Sequence, residues 1–177
     1  MTAHEQIDLP IIGWRERVAL PELNIISVKA KIDTGARSSA IHAFDVEVFK
    51  REDAEFVRFK VHPSQRSKTK TVTAEAPLLE MRTVRNSGGK AELRPVIVTT
   101  VAAGEQHWPI ELTLTNRKVM GFRMLLGRQA VRRRFLVDPG KSYLQTSSKR
   151  KLKNRKKSKN ENSNIVKKFL SLFDSPT

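Results

Sequence analysis

A single carboxylate, Asp33, stands at the end of an apolar run and is followed at once by Thr34 and Gly35. Two such carboxylates held side by side share one proton and activate the water between them. That water can attack a carbonyl carbon without a metal ion or a covalent intermediate. Gly35 and Ala36 are small enough to let two such loops approach closely, and the Thr34 hydroxyl could hydrogen-bond across them. Asp33, Thr34 and Gly35 are therefore the candidate catalytic residues.

The same tripeptide also fits an ordinary turn, in which the Asp side chain accepts a hydrogen bond from the backbone N–H of a residue that follows it. Only one Asp-Thr-Gly occurs in the 177 residues, so a pair of carboxylates needs a second copy of the chain across a two-fold axis. We expect a homodimer on this ground. Asp45 and Asp138 lack the same framing and are interpreted as turn or cap residues.

Alternation of apolar and polar residues predicts the strands that would position these loops. Residues 44–48, 57–62 and 110–115 alternate with a period of two, which is typical of half-buried antiparallel strands. The side chains expected to face the core are Phe44, Val46, Val48, Val57, Phe59, Val61, Ile110, Leu112 and Leu114. The pattern predicts an all-β domain that forms a closed small barrel.

Turn residues separate the predicted strands, at 62–65, 85–90 and 102–106. The second of these turns carries Asn86, Ser87, Gly88 and Gly89, which tolerate positive φ and predict the tip of a hairpin. A flap that covers a bound substrate would fall at this place.

One short helix is predicted near the end of the domain, at 127–135. The triplet Leu125, Leu126 and Gly127 opens this helix about ninety residues after Asp33, and Arg128 follows the triplet.

The order of these motifs resembles the retropepsin-like aspartic peptidases. Within that class the chain is similar to a bacterial family whose members are often labelled ATP-dependent zinc proteases. The segments that carry this similarity are IIGWRERVALPEL, KAKIDTGARSSAIHA, IELTLTNRKVMGFRMLLGRQAV and FLVDPGKSYL. The resemblance covers about residues 10–145, which we take as one domain, and it implies the acid-protease fold and peptide-bond hydrolysis by an Asp33 dyad.

The family resemblance also implies an acidic substrate. Members include a protease reported to act on poly-glutamate tails that an ATP-grasp ligase adds to a small-subunit ribosomal protein. A net charge of +8 over residues 1–145 suits such a substrate, and Arg37, Arg117 and Arg128 are the candidate substrate-binding residues. For Arg128 a structural role comes first, because the equivalent Arg of retropepsins pairs with an acid and buttresses the active-site loop.

Neither the ATP nor the zinc of that family label follows from the residues. The sequence has no phosphate-binding Gly-x-x-x-x-Gly-Lys-Ser/Thr loop and no His-Glu-x-x-His pair. It contains no cysteine, and its four histidines, His4, His42, His62 and His107, stand singly without ligand spacing. We expect no cofactor and no metal, and we interpret His42 as a structural residue.

Residues 146–177 form a basic tail. Ten Lys or Arg against two acids give it a net charge of +8, and its polar composition up to residue 164 predicts disorder. The tail predicts sequence-independent contact with RNA or the ribosome, although a purely solubilising role explains the same charge. Residues 165–173 regain an apolar helical face, which suits either packing on the domain or docking to a partner.

No segment of the sequence resembles a signal peptide or is apolar for long enough to cross a bilayer. A soluble cytoplasmic protein is the expectation that follows. A second function also fits the residues, namely a non-catalytic β-barrel that binds peptides while its tail contacts RNA or the ribosome.

Overall fold

A computed structural model describes residues 8–64, 70–85, 89, 91–117 and 120–146. The basic run and the apolar face predicted for the tail lie outside these residues, and so do Asn86, Ser87 and Gly88 of the predicted flap. No helix of the described part has the length and apolarity that crossing a membrane requires.

The described chain consists mostly of strands, and the all-β prediction is confirmed. The strands are β1 Ile11–Gly13, β2 Arg15–Leu20, β3 Ile25–Asp33, β4 Ser39–His42, β5 Phe44–Arg51, β6 Ala54–Val61, β7 Val72–Pro77, β8 Glu80–Arg85, β9 Ala91–Ala103, β10 Gln106–Thr115, β11 Met124–Gly127 and β12 Leu136–Asp138. A 3₁₀ turn spans Pro21–Leu23, and the predicted helix is the single turn α1, Arg128–Val131.

Seven strands form the main sheet, in the order β10-β4-β11-β3-β2-β9-β8. Because β9 also pairs with β10, six of these strands close into a ring and β8 lies outside it. Closure leaves fewer unpaired strand edges and encloses the core. A second sheet has the order β5-β6-β7, while β1 and β12 form a separate parallel pair.

Both predicted hairpins between long strands are present. β9 turns into β10 through Gly104, whose φ of +61° suits glycine, and Ala103 pairs with Gln106. β8 and β9 pair as far as Arg85 and Ala91, so the chain reverses where the glycine-bearing turn was predicted.

The predicted alternation holds in β6, holds in part in β10 and fails in β5. Val57, Phe59 and Val61 of β6 are fully buried, as expected. In β10 the predicted core residues Ile110, Leu112 and Leu114 are buried, but Thr113 and Thr115 are buried as well, and the Thr113 hydroxyl donates to the Ser39 carbonyl.

The β5 prediction is wrong in a different way. Val46 and Val48 were expected in the core but are 40% and 42% exposed. β5 is an edge strand, and its register shifts between Phe44 and Glu47, where Asp45 adopts a φ of +51°. Such a bulge disrupts the regular alternation of side chains between the two faces.

A fully buried carboxylate, Glu16, joins the two ends of the described domain. Its Oε1 accepts hydrogen bonds from the Gly13 N–H at 3.1 Å and the Gln145 N–H at 3.2 Å. Its Oε2 accepts from the Thr146 hydroxyl at 3.1 Å and the Thr146 N–H at 3.4 Å. These donors satisfy a charge that would otherwise be costly to bury.

Glu16→Gln should therefore lower the stability of the domain. The amide offers one acceptor oxygen where the carboxylate offers two, so part of the donor set is left unpaired. We expect the free energy of unfolding to fall by about 1–3 kcal/mol, as measured by urea denaturation. Glu105→Gln, in the exposed β9–β10 turn, should change it by less than about 0.5 kcal/mol. Identical unfolding curves for Glu16→Gln and its parent would contradict this role.

Candidate active site

The ring of strands carries Asp33 to its rim. Along β3 the side chains of Val28, Ala30 and Ile32 are buried in the core, and Asp33 ends the strand. Parallel pairing of β3 with β11 sets Ile32 beside Leu126 and Asp33 beside Gly127. The two sequence motifs, about ninety residues apart, therefore lie side by side at one end of the sheet.

The loop after Asp33 folds back on the carboxylate. Oδ1 of Asp33 accepts a hydrogen bond from the Ala36 N–H at 3.2 Å, so the donor lies three residues after Asp33, one residue further than in an Asx turn. A Cβ at Gly35 would lie 3.4 Å from the same oxygen. The Asp33 side chain remains 27% exposed, while Thr34 and Gly35 are exposed. The candidate catalytic tripeptide thus presents an accessible surface at the rim.

The first turn of α1 holds this loop through the backbone. The Arg128 N–H donates to the Ala36 carbonyl at 2.7 Å, and the Gln129 N–H donates to the Arg37 carbonyl at 3.1 Å. The Arg128 guanidinium donates to the Thr34 carbonyl at 3.0 Å. Arg128 therefore contacts the loop, as the family resemblance implied, but a carbonyl takes the place of the expected acid.

Gly127 allows this contact because it has no side chain. A Cβ there would lie 2.5 Å from both the carbonyl carbon and the carbonyl oxygen of Ser38 and 2.8 Å from the Arg37 oxygen. The Gly127 N–H also donates to the Ser39 hydroxyl at 3.2 Å. Backbone lies against backbone here, so no rotamer change could make room for a larger residue.

Several cations surround the carboxylate. Lys31, two residues earlier on the same face of β3, brings its Nζ within 3.3 Å of Asp33 Oδ2. Burial lowers the pKa of Arg117 and nearby Arg94 lowers it further, while the negative charge of Asp33 opposes both. Arg37 is exposed and makes no ion pair with any described residue. The site is therefore electropositive around one acid.

His42 positions Arg117. Its imidazole is buried, and Nδ1 accepts a hydrogen bond from the Arg117 N–H at 3.0 Å. The Arg117 Nε then donates to the Phe122 carbonyl at 3.4 Å. This geometry agrees with the structural role expected for His42, and it links that residue to a candidate binding residue 75 positions away.

The base of the β8–β9 hairpin also reaches this region. Glu92 of β9 accepts a hydrogen bond from the Thr115 hydroxyl at 3.1 Å and pairs with Arg94 at 2.8 Å. Gly89, the described residue of the predicted flap tip, is exposed with a φ of +82°.

Sequence reasoning missed Lys31 and Arg94. The sequence did contain a signal for Lys31. Residues two apart in a strand share one face, so residue 31 is expected beside residue 33. Arg94 had none, since it lies on the distant strand β9 and is related to the site only by its charge acting on Arg117 in the folded chain.

Of the two other acids interpreted as turn or cap residues, Asp138 lies in a turn, whereas Asp45 lies within strand β5. Asp45 occupies the bulge and pairs with Lys60 at 2.9 Å. Asp138 accepts a hydrogen bond from the Gly140 N–H at 2.8 Å in a turn. Across the described ranges no three His, Asp or Glu side chains cluster closely enough to hold a metal ion, so these residues do not fit the zinc of the family label.

Comparison with protein families gives one match over most of the chain. The family model is described as the retropepsin-like aspartic endopeptidase RimB, and it matches residues 11–148.

Similar curated proteins are much longer than the matched segment. A probable alpha-L-glutamate ligase of Parasynechococcus marenigrum is 47% identical over 133 residues, covering 75% of this chain and 28% of that protein. A probable alpha-L-glutamate ligase of Shewanella pealeana is 44% identical over 133 residues, covering 75% and 29%. The chain thus spans less than a third of the length of these relatives.

A solved structure shares the fold. The crystal structure of a Legionella pneumophila protein of unknown function superposes with a TM-score of 0.66 at 27% identity. The superposition covers 77% of this chain and 98% of the other.

Gly127→Ala should destabilise the domain, because the new methyl group would push the loop that carries Asp33 away from α1. Overpacking of this kind costs about 1–3 kcal/mol, which thermal or urea unfolding would register. Gly121→Ala is the matched control, since a Cβ there meets nothing within 4 Å, and it should leave stability within about 0.5 kcal/mol of the parent. Equal effects of the two substitutions would refute the close-approach argument.

Stability should also fall between neutral and mildly acidic pH because of His42. Burial, helped by the charge of Arg123, holds the pKa of His42 below its ordinary 6.5, although a hydrogen bond to the Thr115 backbone opposes the shift. The unfolded chain therefore binds this proton at higher pH than the folded chain. Stability is full above about pH 6.5 and declines as the pH falls toward the folded-state pKa of His42.

Denaturation midpoints measured from pH 7 to pH 5 would test this dependence. His42→Gln should flatten the decline, whereas His107→Gln, at an exposed position of β10, should keep it. The pKa values of Glu22, Glu75 and Asp138 are lowered from 4.5, 4.5 and 3.8. These carboxyl groups therefore affect stability at a more acidic pH than His42 does. An unchanged slope in His42→Gln would rule out the assignment.

Proposed function

The chain belongs to the RimB-like family of retropepsin-like aspartic endopeptidases, and from that membership we propose that it hydrolyses peptide bonds with Asp33 as its catalytic carboxylate. The unit that carries the activity spans residues 10–145. The observation that carries the proposal is the geometry of the Asp33 loop, in which an accessible carboxylate is held at the strand end by the Ala36 N–H at 3.2 Å.

The reaction needs a second carboxylate, and in this proposal a second copy of the chain supplies it. Among the described residues, the polar contacts of the Asp33 side chain are Lys31 and the Ala36 N–H, neither of which is a carboxylate. Exposure of Thr34 and Gly35 at the rim leaves the tripeptide free to meet its symmetry mate. A two-fold axis through this rim would place the two Asp33 side chains face to face.

The chemistry then follows from two carboxylates that share one proton. The ionised Asp33 takes a proton from water as the water oxygen bonds to the peptide carbonyl carbon. The partner's Asp33, which is protonated, gives its proton to the carbonyl oxygen. When the tetrahedral intermediate collapses, the carbon–nitrogen bond breaks, and the leaving nitrogen takes the proton that the first Asp33 had removed from water. One of the two hydroxyl protons of the intermediate returns to the partner's Asp33, and the other stays on the new carboxyl group. The dyad thus regains its starting state.

We assign an acidic peptide as the substrate class. Lys31, Arg117 and Arg37 surround the carboxylate with positive charge, which attracts and pairs with glutamate side chains. Arg128 supports the loop through the Thr34 carbonyl and contributes charge at the same rim. The curated relatives are named as glutamate ligases, and glutamate-rich peptide is the class that fits both that name and this charge.

A second candidate function is a non-catalytic module that captures acidic peptides and contacts RNA or the ribosome through its tail. The ion pair of Lys31 with Asp33 and the turn hydrogen bond of Ala36 favour it, because both also explain the carboxylate as a structural residue. The two functions differ in whether Asp33 is needed for cleavage.

Asp33→Asn should abolish cleavage of a glutamate-tailed peptide, because the amide cannot act as the base. Asp45→Asn is the matched control, since Asp45 lies in a bulge with positive φ, a conformation that Asn tolerates, and it should retain the parent activity. Product formation would be followed by mass spectrometry from pH 4 to pH 8. Equal cleavage by parent and Asp33→Asn would refute the proposal, and no cleavage by either would favour the binding module.

Mixing the parent with Asp33→Asn in equal amounts tests whether two chains share one site. If subunits exchange and each site needs two Asp33 side chains, activity per total protein falls to about one quarter of the parent value, whereas independent sites give about one half. A value of one half after full exchange would rule out the shared dyad while leaving hydrolysis itself in place.

A further inference from the structure

Four cations line the outer face of β2 and β3 and lead toward Asp33. Arg15 pairs with Lys31 and Arg17 pairs with Lys29 in the antiparallel register, so all four side chains project from the same face of the sheet. The opposite face at β2 carries buried side chains such as Val18 and Leu20. These four residues, Arg15, Arg17, Lys29 and Lys31, are called the cationic strip below.

The cationic strip lacks the counter-charges found elsewhere in the molecule. Only Lys31 has a carboxylate partner among the described residues, and that partner is Asp33. On the second sheet the cations are neutralised by acids, in the pairs Arg51–Glu75, Arg58–Glu75, Arg58–Glu47 and Lys60–Asp45. Arg15, Arg17 and Lys29 therefore leave positive charge without a carboxylate partner on the face that leads to Asp33, and this charge is available to an anionic ligand.

A groove of about 740 Å³ lies at the end of the cationic strip away from Asp33. Its lining includes Arg17, Lys29 and Lys70, together with Ser27, Tyr143 and the strongly exposed Ile26. The described residues that line it include no Asp or Glu. The groove thus combines three cations with apolar surface, which suits the carboxylates and methylene groups of glutamate side chains.

Aromatic rings hold part of the cationic strip in place. The Arg15 guanidinium lies 4.6 Å from the Trp14 ring and 5.3 Å from the Tyr143 ring, and its Nε donates to the Ser142 hydroxyl at 3.0 Å. Lys29 Nζ lies 4.8 Å from the Phe122 ring. Cations fixed in this way lose less conformational entropy when a ligand binds.

We propose that the cationic strip and the groove form an exosite for an extended acidic segment of the substrate, to one side of the scissile bond. Side chains on one face of a strand repeat every 6.7 Å or so, and an extended peptide repeats its own alternate side chains at the same interval. About 13 Å of strand separates Lys29 from Asp33, which spans two such intervals. Alternate carboxylates of the bound segment would therefore meet successive cations.

This inference rests on the proposed function, because that function makes Asp33, where the cationic strip ends, the place at which the substrate is cleaved. A single-stranded RNA would meet the same charge, but the peptide is favoured by the match in repeat and by the continuity with the candidate catalytic carboxylate. Trp14 and Phe122, which pack against each other at 5.8 Å, are partly buried and so offer less ring surface for stacking bases.

Binding of a fluorescent peptide of ten glutamates tests the exosite, with anisotropy as the measurement. The full chain is used in the Asp33→Asn background, so the probe stays intact and the tail is present in every sample. The combined variant Arg17→Gln/Lys29→Gln/Lys70→Gln should weaken the Kd by about five- to tenfold at 150 mM salt. The salt dependence of its binding should also be shallower.

The control is Arg51→Gln/Arg58→Gln/Lys60→Gln, which removes the same charge from the second sheet and should change the Kd by less than about twofold. Equal affinity of the exosite variant and its parent would overturn the proposal, as would an equal loss in the control. If the combined variant fails to fold, Lys29→Gln is compared with Lys29→Arg. We expect weaker peptide binding by Lys29→Gln and the affinity of the parent in Lys29→Arg.

A decamer of uridine serves as the competing class of ligand. If the combined variant loses affinity for this RNA and keeps it for the peptide, the exosite assignment is wrong. Because the readout is binding, absence of cleavage would count against the proposed function alone and would leave this test unaffected.

Discussion

The site depends on one close approach between two stretches of backbone. Gly127 ends β11 directly beneath the Arg37–Ser38 peptide, and the first N–H groups of α1 then bond to the loop that carries Asp33. The carboxylate is thus held by main-chain contacts that do not depend on the rotamers of long side chains. Preorganisation of this kind reduces the cost of aligning a catalytic group. The ring of strands supplies the two parallel neighbours, β3 and β11, that make the approach possible.

Charge at this rim is arranged unequally. Asp33 lies beside Lys31, and its charge acts on Arg117, whereas Arg51, Arg58 and Lys60 of the second sheet are paired with acids. The net charge of +16 for the whole chain therefore understates how strongly this face attracts anions. The distribution of charge distinguishes this face from the rest of the molecule, and the overall composition does not reveal it.

Sequence reasoning located Asp33, Gly127 and the hairpin turns because each depends on local residue types. The pairing of β3 with β11 had no local signal, since parallel neighbours depend on long-range topology. The bond between His42 and the Arg117 N–H was missed for the same reason. Asp45 was interpreted as a turn or cap residue but lies at a bulge within β5, and the register shift there made the prediction for Val46 and Val48 wrong.

The two ends of the described domain meet at one place. Ile11 pairs with Leu136 in the parallel β1–β12 ladder, the Gln145 side-chain amide donates to the Ile11 carbonyl at 2.7 Å, and Glu16 binds the backbone of residues 145 and 146. A polypeptide therefore enters and leaves this unit at neighbouring points. Such a unit can be grafted into or onto a longer chain without disturbing the host fold. That arrangement accounts in physical terms for how one compact piece recurs within relatives more than three times its length.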